Sequence, residues 1–334
     1  MNVINVGVIG ASGYTGLELV KILTNHPNFN LVYVANSEGN TTLGELHPSL
    51  NGVVEMEVVK ADISKASELC ELVFLALPHK TAMAYVKPLI ESGTKVVDLS
   101  ADYRLPQDIY EEFYCPHTDS KNLEHVVYGL PEMFREELKT ASLVANPGCF
   151  PTSAILGLLP FMSKRVDSTP IIVDAKTGVS GAGKKLSEVT HFVDVNDNLL
   201  AYNPLLHRHA PEIAQKLDVD FDEVNFVPHL VPVTRGMISS IYIQVEGDFD
   251  ANEVLKEYYK DSPHVRISNK PVDMKNVAGT NFCDIYVKQK KGMLFISSAI
   301  DNLLRGASSQ AVVNANLMMG LDEITGIPNI AYVP

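Results

Sequence analysis

The sequence is poor in cysteine, short of positive charge, and without a long apolar run. Cysteine occurs at Cys70, Cys115, Cys149 and Cys283, with no Cys-x-x-Cys pair. That spacing argues against a disulfide framework and a zinc finger, and it fits reduced thiols in the cytoplasm. No uncharged apolar stretch approaches the ~18 residues that a membrane span needs. The start, Met1 to Gly7, lacks a basic n-region and a small-residue cleavage site, so no secretory signal is expected. Lys and Arg number 27 against 40 Asp and Glu, a net charge of −13. Nucleic-acid binders carry a basic surplus or stripe, so nucleic acid is not an expected partner. An acidic chain can still hold an anionic small molecule through a few Arg side chains and backbone N–H groups. No internal repeat, low-complexity segment or linker stands out.

What is present is an ordinary globular composition, 46% hydrophobic and 20% charged over 334 residues. That length suits two domains of about 150 residues. The β-branched run Val3–Ile9 reads as a buried parallel strand. It ends in Gly10-Ala11-Ser12-Gly13-Tyr14-Thr15-Gly16, and Leu19, Ile22 and Leu23 then recur at helical spacing until His26-Pro27. A second strand follows at 31–35. Strand, glycine turn, helix and strand make a βαβ unit. Further strands at 72–77, 95–99 and 143–145, with a helix at 81–91, extend it into a parallel sheet covered on both faces.

The pattern changes after Asn146-Pro147-Gly148-Cys149. A helix is predicted over 153–161, then strands with period-two alternation. Ile241, Ile243 and Val245 alternate in one, Cys283, Ile285 and Val287 in another. Lys290-Lys291-Gly292 reads as a hairpin turn into 293–300. Residues 303–319 return to helix, with Leu304, Ala307, Ala311, Ala315 and Met318 as an apolar stripe packing on the first domain. The expected fold is α/β: a Rossmann-type dinucleotide-binding domain (1–148 and 303–334) and an α+β domain (149–302). The second sheet is expected to be mainly antiparallel and to build a homodimer or homotetramer interface.

Gly10, Gly13 and Gly16 form G-x-x-G-x-x-G, a variant of the dinucleotide fingerprint. Glycine lets the backbone turn tightly and approach a pyrophosphate, and the helix start offers N–H groups to it. Ser12, Tyr14 and Thr15 lie in the same turn. The second strand runs out into Asn36-Ser37-Glu38, which leaves NAD or NADP open on residues alone. Lys176–Lys185 nearly matches a P-loop, but Lys185 stands where the Mg²⁺-binding hydroxyl belongs, so a nucleotide triphosphatase is discounted.

Asn146-Pro147-Gly148-Cys149-Phe150-Pro151-Thr152 places Cys149 just ahead of a helix start, a position that favours a thiolate. The other three cysteines read as small buried hydrophobes. His207-Arg208-His209-Ala210-Pro211-Glu212-Ile213 supplies a candidate base. Two His at i and i+2 of an extended segment point the same way, and Arg208 or Arg235 could bind a carboxylate. A zinc site on these residues lacks further ligands at regular spacing, so no metal is expected.

At these residues the sequence resembles the N-acetyl-γ-glutamyl-phosphate reductases of arginine biosynthesis, within the broader semialdehyde dehydrogenase family. The resemblance is carried by 10–16, Leu99-Ser100-Ala101-Asp102-Tyr103-Arg104-Leu105, Tyr128-Gly129-Leu130-Pro131-Glu132, 146–152, 178–183, 207–213 and Asp301-Asn302-Leu303-Leu304-Arg305-Gly306. Phe150 stands where the family commonly has Tyr, and Lys184 where Arg is frequent. The resemblance implies an NADPH-dependent reductase of an acyl phosphate, with Cys149 as nucleophile and His207 or His209 as base, His207 preferred. It implies Ser180, Gly181 and Asn302 beside the nicotinamide, and Ser37 and Pro78 among the NADP contacts. Arg104 is expected on the leaving phosphate, and Arg208, Glu212 and Arg235 on the substrate. An aspartate-semialdehyde or lysine-pathway reductase and a non-catalytic dinucleotide sensor are the competing readings.

Overall fold

The computed structural model describes residues 3–333; Met1 and Asn2, part of the stretch read for a signal, and Pro334 lie outside the described residues. The chain folds as two units. The first takes the chain up to Pro147 and returns for Ala307–Pro328; the second is Gly148–Gly306 and the chain from Asn329. The boundaries therefore fall at 147/148 and 306/307 rather than 148/149 and 302/303. The segment from Asn329, expected with the dinucleotide domain, belongs to the second unit.

The first unit is built on β1 (Ile4–Ile9), β2 (Phe29–Asn36), β3 (Thr41–Thr42), β4 (Glu57–Lys60), β5 (Leu72–Leu75), β6 (Lys95–Asp98), β7 (Val127–Tyr128) and β8 (Leu143–Ala145), in the order 3-4-2-1-5-6-8-7. All neighbours run parallel except the β3–β4 pair. All four residues of β5 are buried, as continuous apolar runs covered on both faces require. Helix Tyr14–Thr24 packs beside helix Ser308–Met318, and the Ser308 hydroxyl donates to the Thr15 carbonyl at 2.9 Å. The returning helix thus joins the first unit as expected, but it starts at Ser308, and 303–307 is irregular. Every one of its residues is buried, Gln310 and Asn314 included, so it has no exposed face, and burial extends beyond the expected apolar stripe.

The second unit holds β9 (Ile171–Gly178), β10 (Leu200–Ala201), β11 (Val224–Val231), β12 (Met237–Gln244), β13 (Val265–Ile267), β14 (Cys283–Lys290) and β15 (Met293–Ile300), in the order 10-11-9-12-15-14-13. The sheet is mixed: β9–β11 and β13–β14 are parallel, the remaining pairs antiparallel. In β12, Ile241 and Ile243 are buried while Tyr242 and Gln244 are exposed, the alternation of a sheet covered on one face. Lys291 and Gly292 both have positive φ, the backbone of a two-residue hairpin turn between β14 and β15. Helix Cys149–Leu158 lies on β12 and β15. Gly157 permits that approach, since a Cβ there would sit 3.0 Å from Ile241 Cδ1. Among the described residues no helix is long and apolar enough to cross a membrane.

Candidate active site

The candidate residues divide between the two units. In the first unit, β1 delivers the chain into the glycine turn and helix Tyr14–Thr24 leaves it. Gly10 has φ +100, and a Cβ there would lie 2.2 Å from the Ala76 carbonyl oxygen. A Cβ on Gly16 would lie 2.4 Å from the Gly10 carbonyl oxygen. These two glycines are demanded by the fold itself. Gly13 is different. It caps the helix with φ −81, and a Cβ there would meet nothing nearer than Thr15 Oγ1 at 4.0 Å. Packing does not require glycine at 13; the vacant space over a helix start is what a diphosphate would use. Asn36, at the end of β2, donates to Ser12 Oγ at 3.1 Å and accepts the Glu38 and Gly39 N–H groups. It ties the strand end to the glycine turn, while Ser37, Glu38 and Pro78 are exposed.

Arg104, expected on phosphate, is 6% exposed and braces the backbone: Nε donates to the Asn146 carbonyl and Nη2 to the Leu99 carbonyl, each at 2.8 Å. Asn146 itself is held on every side. Its N–H donates to the Asp98 carbonyl, its Nδ2 to the Ala307 carbonyl, and its Oδ1 accepts from Asn314. The Pro-Gly-Cys turn therefore leaves from an immobilised residue.

In the second unit, Cys149 is the first residue of helix Cys149–Leu158, with Gly148 as the cap, rather than a residue ahead of it. The chain from Phe150 to Leu158 is buried; Cys149 alone in this helix is partly exposed. Cys70 and Cys283 are buried as expected, and burial pushes the Cys70 thiol up to about 12. Cys115 is half-buried, against the expectation. Gly306 packs directly on the cysteine: a Cβ there would lie 2.6 Å from Cys149 Cβ and 2.6 Å from the Asn302 carbonyl oxygen. Nothing in the sequence pattern singled Gly306 out for that contact.

The histidine segment is a turn, not the extended stretch that i, i+2 spacing suggested. His209 has helical φ and ψ and caps helix Ala210–Leu217. The two rings still meet, at 4.8 Å between centroids, because the turn folds one beside the other. Phe150 joins them to the cysteine helix: its ring lies 5.8 Å from each imidazole and 5.1 Å from Phe226. Phe150 makes these ring contacts and brings no hydroxyl to them. Burial, helped by the exposed Arg208, lowers His207 to about 4, so its imidazole is neutral at pH 7. His207 Nδ1 accepts the His209 backbone N–H at 3.2 Å, which puts the ring proton on Nε2.

Glu212 is not displayed toward a ligand. It is 1% exposed, and its Oε1 accepts the Gly148 N–H at 2.9 Å, pinning the cap of the cysteine helix to the first turn of the histidine helix. Tyr202, which lies in no motif, stacks edge-on against His207 at 5.5 Å. Burial first, and the Cys149 charge second, raise its phenol above the usual range.

Ser180, Gly181, Arg235 and Asn302 come together beside this cluster. Asn302 donates to Ser180 Oγ at 3.0 Å and accepts the Gly236 N–H at 2.8 Å. Gly181 lies against Asn302. Arg235 Nε pairs with the buried Asp301 carboxylate at 3.0 Å. The second unit therefore joins a partly exposed cysteine at a helix start, two imidazoles and an anchored guanidinium. A thiol, proton carriers and a cation are the parts for nucleophilic acyl transfer.

Comparison with known proteins agrees with that class. Residues 5–141 match the family described as semialdehyde dehydrogenase, NAD binding domain, and 149–302 the semialdehyde dehydrogenase dimerisation domain. Aspartate semialdehyde dehydrogenase II of Vibrio cholerae, complexed with ASA, superposes with a TM-score of 0.73 at 17% identity, covering 96% of this chain and 99% of that one. The Candida albicans enzyme, solved with NADP, gives 0.71 at 14% identity, over 95% and 99%. At these identities the likeness is one of fold: a Rossmann-type domain with a second α/β domain. The chain belongs to the semialdehyde dehydrogenase family. Its relatives within that family share a more particular name, N-acetyl-gamma-glutamyl-phosphate reductase. The protein of that name from Sulfurimonas denitrificans is 78% identical over 100% of both chains. That of Sulfurovum sp. (strain NBC37-1) is 60% identical over 99% of this chain and 100% of its own. The Wolinella succinogenes protein is 54% identical over the whole of both.

Proposed function

We propose that the chain reduces N-acetyl-γ-glutamyl phosphate to N-acetylglutamate 5-semialdehyde with NADPH, releasing phosphate, as a step of arginine biosynthesis. The observation that carries this reading is Cys149. It is the one accessible residue of an otherwise buried helix, standing at the first helical position where a thiolate is stabilised.

The residues present fit a dinucleotide. Gly10, Gly13 and Gly16 with Ser12, Tyr14 and Thr15 would hold the pyrophosphate, a reading supported by the open space where a Cβ on Gly13 would stand. Ser37 and Pro78 would complete the adenosine side, and Ser180, Gly181 and Asn302 the nicotinamide side. When bound, the reduced nicotinamide supplies a hydride.

The chain's own chemistry follows from the site. Cys149 loses its proton to the histidine pair and attacks the acyl phosphate carbonyl. The carbon–oxygen bond to phosphate breaks, phosphate leaves, and a thioester remains on Cys149. N–H groups at the start of the helix, that of Phe150 among them, stabilise the oxyanion. After reduction, the hemithioacetal collapses to the aldehyde and the histidine pair returns a proton to sulfur. With its proton on Nε2, His207 is set to donate, so His209 is the acceptor of the pair, in place of the His207 preferred above. Arg235 engages the substrate carboxylate, oriented by Asp301. The exposed face of the second sheet, with Tyr242 and Met293 on it, fits a homodimer or homotetramer interface. Four cysteines outside any disulfide suit a cytoplasmic protein.

Steady-state rates in the reverse direction test the reading. With phosphate and NADP⁺, kcat/KM should favour N-acetylglutamate semialdehyde over aspartate semialdehyde by at least about a hundredfold. A preference for the aspartate compound would reverse the substrate assignment.

A further inference from the structure

The segment after Asn329 returns to the second unit and sets Tyr332 on the candidate carboxylate anchor. Tyr332 is 58% exposed, an unusual setting for an aromatic ring with so many specific partners. Its backbone N–H donates to the Ala278 carbonyl at 2.9 Å. Its ring lies flat on Gly279, where a Cβ would meet three ring atoms at 2.8 Å. Gly279 has φ +89, so both its backbone and its missing side chain are used to make the seat. The Arg235 guanidinium carbon sits 5.5 Å from the Tyr332 ring centroid.

The same seat is wired to Arg235 from below. The Gly279 N–H donates to Asp301 Oδ2 at 2.7 Å, and that oxygen also pairs with Arg235 Nε at 3.0 Å. The other oxygen, Asp301 Oδ1, accepts the Leu303 and Leu304 N–H groups. Asp301 is thus a fixed post that holds one edge of the guanidinium, and Tyr332 covers its face. Two such constraints set the plane of a planar cation. A guanidinium that must meet a carboxylate through a two-pronged contact gains most from a preset plane. The anchor is also coupled to the cysteine. Gly236, the next residue, donates to Asn302, and the Asn302 carbonyl and Cys149 Cβ share the space that a side chain at Gly306 would fill.

We propose that Tyr332 is a positioning residue for substrate selection, fixing Arg235 so that the site prefers aldehydes and acyl phosphates bearing a carboxylate. The inference rests on the reading of Arg235 as the carboxylate anchor, and it adds a chain segment that this reading does not include. Tyr332 does not touch the reacting atoms; its effect reaches the substrate through Arg235.

The test compares two aldehydes in the oxidative direction with the full-length enzyme: N-acetylglutamate semialdehyde and 4-acetamidobutanal, which differs by lacking the carboxylate. Tyr332→Ala should raise KM for the first by about three- to tenfold, the range of a cation–π contact. It should leave kcat within about twofold and KM for 4-acetamidobutanal unchanged, and Tyr332→Phe should behave as wild type. Equal losses on both aldehydes, a fall in kcat alone, or no change at all would overturn the proposal. Arg235→Ala separates it from the reading beneath it. If that variant loses discrimination between the aldehydes while Tyr332→Ala keeps it, only the role of Tyr332 falls. If Arg235→Ala still discriminates, the anchor reading falls and the proposal with it.

Discussion

Two turns in this chain have the same plan, a strand running through a glycine-bearing turn into a helix, and opposite finish. At Gly10–Gly13 the closing glycine stands under vacant space. At Asn146–Gly148 the backbone is tied before and after Pro147: Arg104 and Asp98 hold Asn146, Glu212 holds Gly148, and Gly306 presses on Cys149. The difference follows from what each must do. A turn that receives a ligand has to leave room for it. A turn that presents a nucleophile has to keep one atom still, because a displacement of about 1 Å can cost about a hundredfold in rate.

The comparison is broken most severely by removing the presented atom. Cys149→Ser should lower turnover by about ten-thousandfold while NADPH binding, followed by fluorescence titration, stays within about twofold. Near-full activity in that variant would end the covalent account. Gly306→Ala keeps the thiol but displaces it. It should lower kcat by about a hundredfold with NADPH affinity kept, and a melting scan checks that the variant folds.

The glycine turn sharpens the contrast within itself. Gly10→Ala should cost about 1–3 kcal/mol of stability, because φ +100 and the Ala76 carbonyl both oppose a side chain. Gly13→Ala should leave stability within about 0.5 kcal/mol and weaken NADPH about tenfold. Equal stability losses at 10 and 13 would erase the distinction between them.

The smallest effect comes from the dry wall beside the cysteine. Folded His207 takes its proton only near pH 4, whereas an unfolded histidine takes it near 6.5. Between those values the unfolded chain binds more protons, so stability is lost as pH falls through that window. Denaturant melts at several pH values should show a shallower slope in His207→Gln, which carries no such proton.

Much of this was legible in the residues. Contiguous apolar runs gave β1, β5, β6 and β8, since strands buried on both faces need no alternation. Alternation gave β12 and β14, which are buried on one. The strands β9 and β11 were hidden, β11 by Pro228 inside it, a residue that normally marks an edge. The cysteine and the histidine pair could be chosen from their flanking prolines and glycines. The turn geometry of His207–His209 could not, because i, i+2 spacing says nothing about φ and ψ. The contacts of Glu212, Gly306 and Tyr332 escaped for one reason: each reaches a residue far away in sequence, and a single chain carries no local mark of such a contact.

The central claim is that the acyl group resides on Cys149 before it is reduced. Intact-protein and peptide mass spectrometry of enzyme mixed with N-acetyl-γ-glutamyl phosphate, without NADPH, tests it. The account predicts one N-acetylglutamyl adduct, on the Cys149 peptide, discharged when NADPH is added. An unmodified Cys149 peptide under those conditions, with the enzyme active once NADPH is supplied, would contradict it.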